Sequence, residues 1–107
     1  MKIIPNKHIP LKGYKLLTVY PFLFTRRGVG YTADDLNHEE IHARQQKEML
    51  LLFFYLWYLI EWLIRLIQYR NAHKAYRNIS FEREAYAFQS DELYLIRRKK
   101  YSFINFL

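Results

Sequence analysis

A long stretch without glycine or proline dominates the chain: residues 32–67 read TADDLNHEEIHARQQKEMLLLFFYLWYLIEWLIRLI. All three glycines and all three prolines of this 107-residue chain lie in its first thirty residues. Because glycine and proline are the strongest interruptions of local structure, the sequence predicts an extended or β segment over residues 1–30 and helices over residues 31–107. We therefore expect a single domain, residues 1–107, of a mostly α (α+β) fold class.

Capping residues indicate where the helices begin. Thr32 and, three residues later, Asp35 have the spacing of a capping box at a helix N-terminus. From there the sequence predicts one helix without a break to about Asn71. Ser80 is the expected N-cap of a further helix from about Phe81 towards the basic run 97–100, whose cations suit a helix C-terminus.

The first thirty residues carry a short β signal. Residues 16–25, LLTVYPFLFT, are rich in β-branched and aromatic side chains and predict one or two short strands. Pro21 cannot donate a backbone hydrogen bond, so we expect it to confine its strand to a sheet edge. The apolar run before Pro5 is shorter than the roughly seven residues that a secretory signal needs. We expect no signal peptide, and a location in the cytoplasm or peripheral on the inner membrane.

The segment His38-Glu39-Glu40-Ile41-His42 is an H-E-x-x-H sequence within the first predicted helix. Residues four apart lie on one helix face, so His38 and His42 can bind one zinc ion from a rigid backbone. Glu39 lies beside the pair, where it can act as the general base on a water activated by the metal. The chain has no cysteine, which excludes thiolate zinc sites, disulfides and a cysteine nucleophile.

A zinc site of this kind needs a third protein ligand. The segment 80–88, SFEREAYAF, offers Glu82 and Glu84 near the start of the second predicted helix. Two carboxylates two residues apart cannot both face the same way on a helix. From the residues alone, Glu82 and Glu84 are nearly equal candidates.

H-E-x-x-H followed by Glu-x-x-Ala on a later helix resembles the gluzincin metallopeptidases, above all CAAX prenyl proteases, heat-shock membrane proteases and antibiotic-sensor peptidases. The resemblance implies a zincin-like helical domain in which Zn²⁺ is held by His38, His42 and Glu82. Glu39 would be the general base for peptide-bond hydrolysis. It also implies that the strand around residues 16–25 pairs with an extended peptide or protein substrate.

The chain departs from that family at Tyr86, where the family usually has an aspartate that orients a zinc-bound histidine. Asp91 is the carboxylate that could substitute for it. This departure motivates an alternative function, a non-catalytic zincin-like protein that binds a membrane or a partner. The candidate donors to a developing oxyanion are His73, Tyr76 and Arg77. The alternative interpretation is that all three are solvent-exposed residues of the segment that connects the two helices.

Residues 49–60, MLLLFFYLWYLI, are uncharged, and the apolar run continues to Ile67 with only Glu61 and Arg65 interrupting it. This helix could be the centre of a small domain, lie on a membrane surface, or span a membrane. In each case it carries a narrow polar stripe at positions 58, 61, 65 and 68, with Glu61 and Arg65 spaced as an i, i+4 ion pair.

Seventeen Lys and Arg against ten Asp and Glu leave a net charge of +7. Most aromatic side chains fall in apolar helical runs rather than among basic residues, so no nucleic-acid partner is expected. Attraction to anionic lipid fits the positive charge and the apolar helix better. If the chain is soluble, we expect a homodimer through the apolar helix 49–67.

Overall fold

A small sheet forms the N-terminal part of the computed structural model, which describes residues 1–10 and 13–107. Its strands are β1 (Lys2–Asn6), β2 (Leu16–Val19) and β3 (Phe22–Arg26), in the order β1-β3-β2. β2 and β3 form an antiparallel hairpin with Leu17 opposite Phe24, and β1 pairs with β3 in parallel. The prediction of one or two short strands within residues 16–25 is confirmed, with two strands present.

The role expected of Pro21 is wrong. Pro21 lies in the turn that joins β2 to β3, outside both strands. β3, which follows it, is the central strand of the sheet. β1 lies within the predicted extended or β segment of residues 1–30, although no separate strand is predicted there. Pro5 is tolerated there because β1 is an edge strand.

The remainder of the chain is mainly helical, as the absence of glycine and proline predicts. The helices are α1 (Ala33–Glu48), α2 (Leu52–Tyr69), α3 (Ala72–Arg77), α4 (Ser80–Phe88) and α5 (Tyr94–Arg97), followed by a 3₁₀ helix over Ser102–Phe106. The capping box at the start of α1 is confirmed: the Thr32 hydroxyl accepts from the Asp35 amide at 3.1 Å, and the Asp35 carboxylate accepts from the Thr32 amide at 2.9 Å. The chain therefore has a mostly α architecture with a small mixed sheet.

The prediction of one unbroken helix from residue 32 to about 71 is wrong. Leu50 and Leu51 have positive φ angles of 53° and 60°, and α2 leaves α1 at 112°. Left-handed backbone at a leucine costs roughly 1–2 kcal/mol per residue. The turn brings Phe54 of α2 into a core with Phe81 and Phe103, and the burial of these side chains offsets that cost.

The second predicted helix is also shorter than expected, because α4 ends at Phe88. The Asn37 side chain donates to the carbonyl groups of Phe88, Gln89 and Asp91 at 3.2, 2.9 and 3.0 Å. Carbonyl groups at a helix end need such partners, so a residue of α1 determines where α4 ends.

The predicted basic run 97–100 is not a uniform solvent-exposed surface. The Arg98 side chain is fully buried, where it pairs with Glu84 and Glu48. Lys99 and Lys100 are exposed.

Most of α2 is exposed: only Phe54 and Glu61 of its eighteen residues are buried. The interpretation of α2 as a central helix wrapped by the rest of the domain is therefore wrong. The Glu61–Arg65 pair does not form, since Glu61 accepts from Ser80 and Trp57 while Arg65 donates to Gln68. Over residues 1–10 and 13–107, no single helix is long and apolar enough to cross a membrane, and only the bent pair of α1 and α2 has the length and composition.

Candidate metal centre

α1 presents its two motif histidines on one buried face. The Nε2 atoms of His38 and His42 lie 3.1 Å apart, and the ring centroids 4.7 Å. The spacing of four residues along the helix places the two rings on one face, where they meet edge to face at an interplanar angle of 77°. Each imidazole therefore directs its Nε2 atom into one shared space.

α4 supplies a carboxylate to the same space. Oε1 of Glu82 lies 3.1 Å from Nε2 of His38 and 3.0 Å from Nε2 of His42. Two ligands of a tetrahedral zinc ion lie about 3.3 Å apart when each is about 2.0–2.1 Å from the metal. The three buried side chains could thus hold one metal ion after an outward movement of a few tenths of an ångström.

The other ring nitrogens show which tautomer each histidine adopts. Nδ1 of His38 lies 2.9 Å from Oε1 of Gln89, and Nδ1 of His42 lies 2.8 Å from Oε1 of Gln45. The Gln45 amide is oriented by its own two donations, to the Phe81 carbonyl and to Glu84. Because amide oxygens only accept, each Nδ1 carries a proton, and an imidazole in its neutral form then has its lone pair at Nε2. When both imidazoles are neutral, as a metal ion requires, three lone pairs meet at one point.

The pKa values of His42 and Glu82 also reflect the close approach of these donor atoms. Burial disfavours a charged His42, but the adjacent Glu82 carboxylate outweighs burial and raises the pKa of His42 to about 9. Burial likewise disfavours a charged Glu82, yet the two histidines lower the pKa of that carboxyl far below its usual range. Without a metal, a proton on His42 joins it to the Glu82 carboxylate in a buried ion pair. A bound cation would take the place of that proton.

Of the two candidate third ligands, Glu82 faces the histidines and Glu84 does not. Glu84 is fully buried on another side of α4, where it accepts from Gln45 at 3.0 Å and from the Tyr94 hydroxyl at 2.6 Å, and pairs with Arg98. Burial opposes its charge, but the Arg98 guanidinium prevails and lowers the pKa of the Glu84 carboxyl.

Glu39 lines a cavity of about 560 Å³ together with His42 and Glu82. The Thr18 hydroxyl of β2 donates to Oε2 of Glu39 at 3.2 Å. Burial raises the pKa of Glu39, because a charged carboxylate is poorly solvated there. Such a carboxylate is a stronger proton acceptor than a solvated one.

Three tyrosines surround the donor atoms. The Tyr58 hydroxyl of α2 donates to Oε2 of Glu82 at 2.9 Å. The Tyr86 ring meets His38 edge-on at 4.4 Å between centroids, and its hydroxyl lies 2.9 Å from that of Tyr76. Tyr76 also lines the cavity. Burial raises the pKa of Tyr58 and of Tyr76, which keeps both phenols protonated and able to donate.

The other residues considered in the sequence take different positions. Asp91 pairs with Arg97 and accepts a hydrogen bond from the Leu93 amide. It therefore does not take the role of the aspartate expected at the position of Tyr86. Arg77 stacks on the Tyr86 ring at 3.7 Å, and the His73 ring packs beside Tyr76. Tyr76 alone of the three expected oxyanion donors lines the cavity that contains Glu39.

Sequence reasoning missed the amide partners of the histidines. Gln45 follows His42 by three residues on α1, so helix geometry alone could have identified it. Gln89 lies beyond the end of α4, and no local pattern identifies it. The sequence predicts that Tyr58 is part of a polar stripe but does not indicate its hydrogen-bond partner. That partner, Glu82, lies on a helix that is distant in sequence.

Comparison with protein-family models, curated proteins and solved structures finds no match to this chain. The function of the chain is therefore inferred from the chemistry of its donor set.

Proposed function

We propose that the chain is a zinc-dependent metallopeptidase of the gluzincin type, with a zincin-like arrangement of α1 and α4. One observation carries the proposal: the Nε2 atoms of His38 and His42 and Oε1 of Glu82 lie 3.0–3.1 Å from one another in a buried space. Donor atoms without protons between them repel one another unless a cation or a proton joins them. Two imidazoles and one carboxylate are a frequent ligand set of catalytic zinc.

Zn²⁺ bound here would supply a Lewis acid that acidifies water and polarises a carbonyl group. The residues around it have separate tasks. Glu39 accepts the proton of the attacking water and returns it to the leaving amine, since burial raises the pKa of its carboxyl and makes the carboxylate a stronger base. Tyr76 is a neutral donor in the same cavity for the oxygen on which charge develops.

The substrate is proposed to be an extended peptide beside β2. The outer edge of β2 is partly occupied, because the Gln46 side chain accepts from the Tyr20 amide at 2.7 Å and donates to the Thr18 carbonyl at 2.8 Å. In an antiparallel strand the backbone N–H and C=O groups of successive residues point to opposite sides. The backbone groups of Leu16 therefore point to the same outer edge as those of Thr18. Leu16 and Thr18 also line the cavity of Glu39, so a peptide strand would pair next to Leu16.

Metal content and hydrolysis test the proposal together. We expect about one zinc per chain in protein purified without chelator, and cleavage in a mixed peptide library followed by mass spectrometry. Glu39→Gln should keep the zinc and lose about 100-fold or more of the activity. Glu82→Ala should lose the zinc. Glu40→Gln, the same change one residue along α1, is the matched control and should retain both.

The possible outcomes separate the two functions. A chain that binds no zinc after addition of the metal contradicts both the peptidase and its metal site. A chain that binds zinc but cleaves no peptide faster than Glu39→Gln is the non-catalytic zincin-like protein instead. Loss of zinc in Glu84→Ala, with retention in Glu82→Ala, would contradict the ligand assignment.

A further inference from the structure

α2 turns its most apolar face away from the domain. On a helical wheel at 100° per residue, every position in an arc of about 140° from Leu59 round to Ile64 is Leu, Ile or Phe. All eight side chains in this arc are exposed, with Leu52 at 72% and Ile67 at 79%. We call this arc the α2 apolar face.

The opposite side of α2 carries its polar groups and faces the domain. Tyr58 donates to Glu82, and Glu61 accepts from the Ser80 amide at the first residue of α4, at 2.8 Å. These buried bonds fix the rotation of α2 about its own axis. The α2 apolar face is therefore held outward by the same contacts that position the candidate metal ligand.

Aromatic residues with polar groups border the α2 apolar face. Tyr55 and Trp62 lie along one side of the arc, and Trp57 lies along the other. Phe53 and Ile60, on one edge of this face, also line an apolar groove of about 720 Å³ together with Leu50 and with Tyr101 and Leu107 of the C-terminal segment. An aliphatic surface bordered by Tyr and Trp is the arrangement that proteins present to the boundary between lipid and water.

Charge distinguishes a bilayer from a second copy of the chain. Each copy carries a net charge of +7, so two copies repel while anionic headgroups attract. The exposed residues Lys99 and Lys100 directly precede Tyr101 of the groove, and Arg70 is exposed at the end of α2. Basic side chains beside an apolar helix face favour an anionic membrane surface.

We propose that the α2 apolar face and the adjoining groove dock on an anionic lipid bilayer, with α2 lying in the plane of the membrane surface. The hydrogen bonds of Tyr58 and Glu61 hold α2 against α4, so the helix stays part of the domain when it docks. The docking needs neither a bound metal nor a peptide substrate.

Vesicle flotation tests the docking. Wild type should float with vesicles of phosphatidylglycerol and phosphatidylcholine, and much less with phosphatidylcholine alone. Raising the salt from about 0.1 M to 1 M, which shortens the Debye length from about 10 Å to 3 Å, should weaken the binding. The double variant Leu56→Glu, Leu63→Glu should lower the bound-to-free ratio at least about tenfold.

Ile96→Glu is the matched control, because Ile96 is 82% exposed but lies on α5 rather than on the α2 apolar face. It should float as wild type does, and all variants should keep the wild-type circular dichroism. Absence of wild-type flotation would overturn the proposal, as would equal flotation of the double variant. A dimer in light scattering that anionic vesicles do not dissociate, and that the double variant abolishes, would replace the lipid with a second copy.

Discussion

At the scale of single residues, the two glutamines are the distinctive feature of the candidate metal centre. Each accepts a hydrogen bond from the Nδ1 of one histidine, at 2.9 Å for Gln89 and 2.8 Å for Gln45. In many zinc sites a carboxylate or a backbone carbonyl has this position, and it orients the ring and raises its basicity. An amide orients the ring without adding a charge. The Gln45 amide in turn donates to the Glu84 carboxylate, so Gln45 connects Glu84 to His42.

Gln89→Ala tests this role. Gln89 is only half-buried, so the substitution should leave the fold intact while freeing the His38 ring to rotate. We expect zinc affinity to fall about 10–100-fold, measured by competition with a chromophoric chelator. Gln68→Ala, on the exposed part of α2, is the control and should not change the affinity. Equal affinities of the two variants would contradict the role of Gln89.

At the scale of secondary-structure elements, buried polar contacts connect helices that short-range patterns leave independent. Glu61 of α2 accepts from the first amide of α4, and Asn37 of α1 binds the carbonyl groups at the end of α4. Both ends of α4 are therefore held by other helices. This arrangement fixes the rotation of α4, and with it which of Glu82 and Glu84 faces the histidines.

The segment after α5 is connected to α4 and α1 by a buried ion pair. Arg98, with a fully buried side chain, pairs with Glu84 and with Glu48 at 2.7 Å. Arg98→Met would leave two buried carboxylates without their cation, and we expect the free energy of unfolding to fall by about 3–5 kcal/mol.

Urea denaturation measures that change, and the neighbouring Arg97→Met is the matched control. Arg97 pairs with Asp91 on the surface, where its side chain is 55% exposed. Solvent screens such pairs, so Arg97→Met should leave the unfolding midpoint almost unchanged. Similar losses in the two variants would show that the Arg98 pair adds no more than a surface pair.

At the scale of the whole molecule, protonation of the candidate metal centre couples stability to pH. In the metal-free protein the pKa of His42 is raised from 6.5 to about 9, so its stabilising charge is present below pH 6.5 and is lost as the pH rises to about 9. The pKa of Glu82 is lowered from 4.5, so its contribution is present above pH 4.5 and is lost on acidification. This pair therefore contributes most between about pH 4.5 and 6.5.

Above pH 6.5, bound zinc should reverse the direction in which this site's contribution to stability changes with pH. The metal needs unprotonated ligands, so the stability added by zinc should grow from pH 6.5 to 9 while the pair's contribution to the metal-free protein declines. Urea titrations with zinc and with chelator measure both slopes. Glu82→Ala is the control for other titrating groups and should lack the difference. Slopes of equal sign and size with and without zinc would contradict a metal at this site.

Local sequence determined a large part of this protein. The capping box of Thr32 and Asp35, the H-E-x-x-H spacing and the absence of glycine and proline after residue 30 predicted the start of α1, its two histidines on one face and the mainly helical class. These features depend on neighbours within one helical turn, so a linear pattern contains them. The composition of residues 16–25 predicted one or two short strands there for the same reason.

Tertiary structure alone decided the rest. The turn at Leu50 and Leu51 carries no glycine signal and exists because Phe54 finds its core partners on α4 and near the C-terminus. Glu82 rather than Glu84 faces the histidines because Glu61, Asn37 and Arg98 fix α4 from distant positions in the chain. The apolar side of α2 faces outward because Tyr58 and Glu61 are held inward by hydrogen bonds. Long-range partners satisfy buried polar groups in each case, and a sequence pattern read locally does not show which partners will meet.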